Sequence, residues 1–286
     1  MEILMAINTI AVIGSGTMGN GIAHVAAQTG LDVILIDVQQ AAIDKALATI
    51  EKNMDRQVKK GSMTDDEKKT SLARITTSTT VGAAFKSDLV IEAASERIEV
   101  KNAIFAELDA GCAPGTILAS NTSSISITEL AGATKRADRF IGMHFFNPVP
   151  VMQLCEIIRG LATSQETYNT IKALAERMGK VPVEVQDYPG FISNRILMPM
   201  INEAIYCVME GIASVEDIDT VMKLGMAHPM GPLTLADFIG LDVCLSIMEV
   251  LHNGLGDTKY RACPLLRKMV AAGYLGRKSG RGFYQY

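Results

Sequence analysis

The chain has 286 residues, of which 27 are Lys or Arg and 31 are Asp or Glu, so its formal net charge is −4. Hydrophobic residues make up 48% and charged residues 20%, a composition that supplies a buried core and argues against disorder. A slightly acidic chain is poorly suited to nucleic-acid binding through phosphates, and no apolar run approaches the ~18 residues of a membrane helix. We therefore expect a soluble protein of one large or two ordinary domains.

Five cysteines and four histidines are spread along the chain without metal or redox spacing. The number of cysteines is odd and no Cys-x-x-Cys pair occurs, so free thiols in a reducing cytosol are expected rather than disulfides. No two histidines have the His-x-x-x-His spacing, so no metal site is expected. The first residues lack the basic stretch and cleavage site of an export signal, and we predict a cytoplasmic location.

The beginning of the chain predicts a strand, a helix and a second strand. Residues 8–13 form a short β-branched run that ends at Gly14, and residues 18–28 have helical composition. A second apolar run at 33–36 stops at Asp37. This order is typical of the βαβ unit of a parallel sheet.

A long, polar, helix-favouring segment follows at residues 40–71. It is broken once at Gly61, and Thr64 with Glu67 three residues later can cap a second helix. We therefore predict a helical hairpin that projects from the sheet.

Further strands alternate with helical stretches in the middle of the chain. They are predicted at residues 74–78, 88–93, 116–119, 139–143, 152–158 and 181–185. Such alternation predicts an α/β fold, a Rossmann-type doubly wound sheet with the helical hairpin as an insertion.

The strand pattern fades after residue 185, and the rest of the chain reads as helices. They are predicted at residues 194–210, 214–224, 233–251 and 264–272. We place a domain boundary near Asp187, with a smaller all-α domain at 188–286. Its apolar helix faces could form the interface of a homodimer.

The first chemical motif is a glycine loop between the first strand and the first helix. Its residues are Gly14, Ser15, Gly16, Thr17, Met18 and Gly19, and Asp37 follows at the end of the second strand. Glycines here permit a tight turn and let a pyrophosphate approach the backbone, while the carboxylate is placed for ribose hydroxyls. The pattern predicts an NAD-binding domain at 1–187. NADP stays an alternative, since neighbouring residues can overrule one carboxylate, and a turn without a nucleotide is the structural alternative.

Two other polar segments lie beside predicted strands. The turn at 120–124 is rich in hydroxyl groups and should line the crevice at the carboxyl ends of the strands, although a simple helix cap would look similar. Prolines near residue 150 predict a reversal that places His144 opposite Glu156 on two antiparallel strands. A carboxylate facing a histidine predicts a general-base pair, and a structural histidine is the alternative.

With these motifs assembled, the chain resembles the 3-hydroxyacyl-CoA dehydrogenase family, most closely its short-chain bacterial members. The resemblance runs from about residue 10 to residue 286 and is carried by the segments 14–19, 90–94, 120–124, 144–148, 189–194, 228–232 and 276–284. It implies hydride transfer between a nicotinamide cofactor and C3 of (S)-3-hydroxybutyryl-CoA or acetoacetyl-CoA.

The resemblance also implies roles for particular residues. His144 would be the general acid/base, Glu156 would hold its ring, and Ser123 and Asn194 would bind the reacting oxygen and the thioester end of the substrate. Cofactor contacts are implied for Glu96, Lys101, Asn121, Asn147 and Lys278. For the charged residues among these, the alternative is that they are ordinary solvated surface residues without a role in cofactor binding.

The predicted hairpin carries a basic face. Lys52, Arg56 and Lys60 recur every four residues, so they share one side of a helix, and Lys59 lies beside them. This face could dock the phosphates of coenzyme A, although solvated helical charges are the common case.

Two functional alternatives remain open at the level of sequence. One is a dehydrogenase of a hydroxy acid or sugar acid without coenzyme A on the same fold. The other is a non-catalytic NAD-binding protein, because a fold alone does not guarantee activity.

Overall fold

The computed structural model describes residues 6–286, and the chain divides into two compact units with the boundary between Asp187 and Tyr188. Eight strands form one sheet in the first unit. They are β1 (Thr9–Ile13), β2 (Asp32–Ile36), β3 (Ile75–Ser78), β4 (Leu89–Glu92), β5 (Ile117–Ser120), β6 (Phe140–Phe145), β7 (Leu154–Arg159) and β8 (Val181–Gln186). Their order is β3-β2-β1-β4-β5-β6-β7-β8, and every neighbouring pair is parallel except the antiparallel pair β6–β7.

Six helices accompany this sheet in the described part of the first unit. They are α1 (Thr17–Gln28), α2 (Gln40–Lys59), α3 (Asp65–Ala73), α4 (Ile98–Gly111), α5 (Ile127–Gly132) and α6 (Gln165–Arg177). The middle strands β4, β5 and β6 are buried along their whole length, which is why their sequences are largely apolar. The predicted Rossmann-type doubly wound sheet with a helical-hairpin insertion is confirmed.

The hairpin forms from α2 and α3 and turns at Gly61, where φ is +72°. Thr64 and Glu67 make the predicted capping box, in which each side chain accepts a hydrogen bond from the other residue's backbone N–H. The expectation that the hairpin projects from the sheet is wrong for its inner face, because Ala46, Ile50 and Met54 are buried in the core shared by α1 and the strands. The inner face of the hairpin is therefore part of the hydrophobic core of the first unit.

The second unit is built from helices around its own core. They are α7 (Ser193–Met209), α8 (Val215–Leu224), α9 (Pro232–Ile239), α10 (Leu241–Leu255) and α11 (Pro264–Ala271). The single helix predicted at 233–251 is wrong, because Gly240 has φ +104° and separates α9 from α10. None of the helices in the described residues is long and apolar enough to cross a membrane.

Two buried aspartates hold segments of this unit by accepting hydrogen bonds from backbone N–H groups. Asp219 accepts hydrogen bonds from the N–H groups of Leu233 and Thr234 at the start of α9. Asp237 accepts from the N–H groups of Phe283 and Tyr284, which hold the last turn of the chain. Asp219 therefore holds the start of α9, directly after the segment 228–232, and Asp237 holds the segment 276–284.

Candidate active site

The carboxyl ends of β1 and β4 border a cavity of about 670 Å³ where the strand order reverses. Gly14 has φ +99°, and a Cβ there would lie 2.6 Å from the carbonyl oxygen of Ala93. A Cβ on Gly19 would overlap the carbonyl oxygen of Gly14. The start of α1 lines the cavity with Gly16, Thr17 and Met18, so the N-terminus of this helix faces the cavity. A helix N-terminus favours a negative charge, so an anion such as a phosphate can bind there.

The remainder of the cavity suits the adenosine half of a dinucleotide. Its apolar wall comes from Val38, Val81, Val100 and Ile104, which can pack against the faces of a base. None of the lining residues in the described chain is a lysine or arginine. Asp37 supplies a carboxylate to the lining instead.

Asp37 is fixed at the end of β2. One of its oxygens accepts hydrogen bonds from the backbone N–H (2.8 Å) and the hydroxyl (2.9 Å) of Ser15, and the other accepts from the N–H of Gln39 (3.1 Å). A fixed carboxylate without a basic neighbour in the lining suits free ribose hydroxyls and repels a 2′-phosphate.

His144 and Glu156 face each other on β6 and β7, so the predicted antiparallel pairing is confirmed. His144 Nδ1 lies 2.7 Å from Glu156 Oε2, and the residues are only 8% and 2% exposed. With the Nδ1 proton donated to the carboxylate, Nε2 keeps the lone pair that a general base needs. The Phe146 ring packs against the imidazole with a centroid separation of 4.6 Å and limits its rotation.

Ser123 lies in a turn after β5 that is folded around the carboxylate of Glu96. One Glu96 oxygen accepts hydrogen bonds from the N–H groups of Ser123 (2.8 Å) and Ser124 (3.2 Å) and from the hydroxyl of Thr122. Burial opposes ionisation of Glu96, but the Lys101 ammonium and these hydrogen bonds outweigh it and hold the pKa below its usual value. Glu96 is therefore a charged acceptor that shapes the turn.

Lys101 is 1% exposed, so the solvated-surface alternative is wrong for this residue. Its ammonium donates to both carboxylate oxygens of Glu92, at 2.7 and 2.8 Å, and lies 3.3 Å from Glu96. Sequence reasoning did not select Glu92 as a site residue. A carboxylate at the end of an otherwise apolar strand was the available signal, because such a group requires a partner when buried.

Two asparagines flank the His144 strand. The side-chain oxygen of Asn121 accepts from the N–H of Phe145 (3.0 Å), which ties the end of β5 to β6. Asn147 lies in the exposed turn after β6 and precedes Pro148 in a cis peptide bond.

A second cavity of about 400 Å³ lies between the glycine loop, the turn that carries Asn147 and the outer face of α2. Helix α2 lines it with Lys45, Thr49 and Asn53, and the guanidinium of Arg56 donates to Asn53 at 3.2 Å. Lys45 was missed from sequence although it lies seven residues before Lys52 and hence on the same helical face.

The predicted basic residues of α2 lie on its exposed side. Lys52, Arg56, Lys59 and Lys60 are all exposed, and they continue the face that begins with Lys45. This basic face is available to an anion beside the second cavity.

Asn194 and Lys278 belong to the second unit. Asn194 is the second residue of α7 and 9% exposed, and it follows Gly190 and Phe191, whose φ values are +77° and +50°. A non-glycine residue with positive φ is strained, and such strain concentrates at functional sites. The Lys278 ammonium lies 2.7 Å from an oxygen of Asp242 at the start of α10.

A doubly wound sheet with a glycine loop, a fixed carboxylate at the end of the second strand and a buried His–Glu pair is typical of a nicotinamide-dependent dehydrogenase. Comparison with known proteins identifies the family. Residues 9–188 match the model of the 3-hydroxyacyl-CoA dehydrogenase, NAD binding domain, and residues 190–286 match that of the 3-hydroxyacyl-CoA dehydrogenase, C-terminal domain. The chain belongs to the 3-hydroxyacyl-CoA dehydrogenase family, and it is an NAD-dependent oxidoreductase.

Similar proteins cover nearly the whole chain. A probable 3-hydroxybutyryl-CoA dehydrogenase of Bacillus subtilis (strain 168) is 60% identical over 99% of this chain and 98% of its own length. The 3-hydroxybutyryl-CoA dehydrogenase of Bradyrhizobium diazoefficiens is 56% identical over 98% of this chain and 96% of its own length. The crystal structure of (S)-3-hydroxybutyryl-CoA dehydrogenase from Ralstonia eutropha superposes with a TM-score of 0.96 at 54% identity, covering 98% and 99% of the two chains.

Proposed function

We propose that this protein interconverts (S)-3-hydroxybutyryl-CoA and acetoacetyl-CoA with NAD. The observation that carries the proposal is the buried His144–Glu156 pair, held at 2.7 Å on neighbouring strands of an NAD-binding sheet. The names of the relatives described above support the short acyl chain and the coenzyme A handle.

His144 is the general acid/base of the proposed reaction. In oxidation, Nε2 takes the proton of the C3 hydroxyl while the C3 hydrogen leaves as a hydride, so the alcohol becomes a ketone. Bound NAD supplies the hydride acceptor. Glu156 accepts a hydrogen bond from Nδ1–H and stabilises the imidazolium, and in the reverse direction His144 returns the proton to the alkoxide oxygen.

Ser123 and Asn194 complete the substrate contacts in this proposal. The Ser123 hydroxyl and the Asn194 amide are assigned to the reacting oxygen and the thioester end, where they fix C3 for hydride transfer. The turn around Glu96 supports this role for Ser123 because it fixes the serine backbone.

We assign the cofactor contacts to the glycine loop, to Asp37, to polar residues that follow β4, β5 and β6 in the chain, and to one residue of the second unit. They are Gly14, Ser15, Gly16, Thr17, Met18, Gly19, Asp37, Glu96, Lys101, Asn121, Asn147 and, in the second unit, Lys278. The chemistry of the lining, with backbone amides for phosphates and a carboxylate for the ribose, fits NAD.

Replacing Asp37 with serine is expected to weaken the preference for NADH over NADPH. Serine cannot repel a 2′-phosphate, so the ratio of kcat/KM for NADH to that for NADPH should fall by roughly 10-fold or more, which corresponds to about 1.4 kcal/mol. Steady-state kinetics with each cofactor measure this ratio. An unchanged ratio would show that Asp37 does not face the ribose.

The proposed function is tested by the absorbance of NADH at ~340 nm with purified protein and acetoacetyl-CoA, with free acetoacetate and NADPH as parallel substrates. Rapid NADH loss with the CoA ester alone is the expected result. Turnover of free acetoacetate would favour the hydroxy-acid alternative, and no turnover in any combination would favour a non-catalytic NAD-binding protein.

Charge reversal of the basic face tests the coenzyme A handle. The triple variant Lys52→Glu, Arg56→Glu and Lys60→Glu is expected to raise KM for acetoacetyl-CoA by roughly 10-fold or more while kcat changes little, because phosphate contacts are equal in the ground and transition states. The matched control reverses the exposed Lys86, Lys135 and Lys172 of the same unit. Equal effects of the two triple variants would refute specific docking.

We further propose that the second unit joins two copies of the chain in a homodimer. An apolar groove lined by Met200, Ile212, Ile218, Val221 and Met222 supports this proposal, as does the exposure of Leu224. Sedimentation velocity tests it directly.

We also propose a cytoplasmic location. The five cysteines are free, and burial raises the pKa of the Cys155 and Cys244 thiols to about 12, so both are inert thiols suited to a reducing compartment.

A further inference from the structure

We propose that Glu92 is a positioning residue of the active site, which holds the Ser123 turn in place through Lys101, Glu96 and Ser120. This inference rests on the function proposed above, because it assigns Glu92 an effect on the substrate-binding serine.

Glu92 occupies the last position of β4, between β1 and β5 in the sheet. Its register partners are Ile13, which leads into the glycine loop, and Ser120, which leads into the Ser123 turn. The carboxylate is fully buried and accepts hydrogen bonds from Lys101 on both oxygens, from the N–H of Ala94 (2.7 Å) and from the hydroxyl of Ser120 (2.7 Å). Each neighbour of Glu92 therefore belongs to a segment that borders the site.

Two paths connect Glu92 to the turn. In the first, the Ser120 hydroxyl donates to Glu92 and accepts from the N–H of Thr122 at 3.2 Å. In the second, the Lys101 ammonium contacts Glu92 and Glu96, and Glu96 accepts from the N–H groups of Ser123 and Ser124. The backbone N–H groups of residues 122–124 thus all bond to acceptors that depend on Glu92.

The charge of Glu92 sets the position of Glu96. A buried ammonium needs a compensating carboxylate, and Glu92 provides it at 2.7 Å while Glu96 lies at 3.3 Å with a side chain 38% exposed. When Glu92 is replaced by glutamine, Lys101 has only Glu96 as a charged partner and draws that carboxylate toward itself. The turn then loses its acceptor geometry, and Ser123 moves with it.

A double-mutant cycle between Glu92→Gln and Ser123→Ala tests the proposal. Glu92→Gln is expected to lower kcat/KM for acetoacetyl-CoA at saturating NADH by roughly 10- to 100-fold, as a displacement of about 1 Å does in a positioned site. In the Ser123→Ala background the same change should cost less than about twofold, because residues that act through one another are not additive.

A matched control separates positioning from stability. The ion pair between Asp109 and Arg136 is also largely buried in the first unit, with a 2.8 Å contact, and it touches neither the turn nor either cavity. Asp109→Asn should lower Tm as Glu92→Gln does, yet leave kcat/KM unchanged when assayed well below Tm. Equal kinetic losses in the two variants would overturn the proposal.

The remaining outcomes are also decisive. An equal loss from Glu92→Gln with and without Ser123 would refute the connection to the serine while leaving the proposed function intact. Wild-type activity of Ser123→Ala would refute both the role of Ser123 and this inference. If Glu92→Gln does not fold, Ser120→Ala enters the same cycle, since it removes one path and retains every charge. An inactive wild-type protein would instead contradict the proposed function itself.

Discussion

Replacing His144 with alanine is expected to lower kcat by roughly 10²- to 10⁴-fold, the usual contribution of a general acid/base. The imidazole is the group whose Nε2 would exchange the proton of the C3 oxygen, and alanine has no atom that can do so. NADH should still bind, because the cavity that suits the cofactor is lined by other residues. Steady-state assays measure kcat, and fluorescence titration measures the Kd for NADH, so the loss of turnover and the retention of cofactor binding are tested separately.

The control for this variant is His252→Ala, which removes a histidine from the last turn of α10 in the second unit. We expect its kcat to equal that of the unmodified protein. Near-normal turnover by His144→Ala would contradict the assignment of the general base. Loss of NADH binding together with activity would indicate that the buried His144–Glu156 pair supports the sheet rather than the chemistry.

Replacing Gly16 with alanine is expected to abolish cofactor binding at working concentrations while the protein stays folded. Gly16 has φ −60°, which alanine adopts, and an added Cβ would meet no atom within 4 Å. The residue lines both cavities of the first unit, so the methyl group would occupy the space where a pyrophosphate approaches the backbone. We expect an increase in Kd for NADH of roughly 100-fold, corresponding to about 2.7 kcal/mol, with Tm unchanged.

Substitutions at two other glycines provide comparisons for the Gly16 variant. Gly115→Ala is the matched control, because its Cβ also meets no atom within 4 Å, and it should change neither Kd nor Tm. Gly19→Ala should instead destabilise the protein, since its Cβ would overlap the carbonyl oxygen of Gly14. Tight NADH binding by Gly16→Ala would show that the pyrophosphate does not pass over this loop.

The parts of the site that follow local patterns could be predicted from sequence. The glycine loop lies between strand and helix as its spacing requires, and the register of β6 and β7 follows from the short reversal between His144 and Glu156. The capping box at Thr64 and Glu67 could also be predicted from the sequence. In each case a few neighbouring residues determine the backbone geometry, so no distant partner has to be known.

The break at Gly240 and the buried role of Lys101 were not predictable in the same way. A single glycine is tolerated within a helical pattern, and only the packing of α9 against α10 shows that the chain turns there. A lysine is almost always exposed, and only the fold brings it to Glu92 and away from water.

The sequence by itself determined the alternation of strands and helices in the first unit, the glycine loop, the His144–Glu156 register and the basic face of α2. These features depend on backbone sterics and on the helical and strand periods, which act over a few residues. The tertiary structure alone decided which side chains share a partner. Glu92, Lys101 and Ser120 lie on three different elements, and the cavity that joins Lys45 to the glycine loop has walls from three segments. Burial and hydrogen bonding require closeness in space, which the parallel crossover connections create between residues distant in sequence.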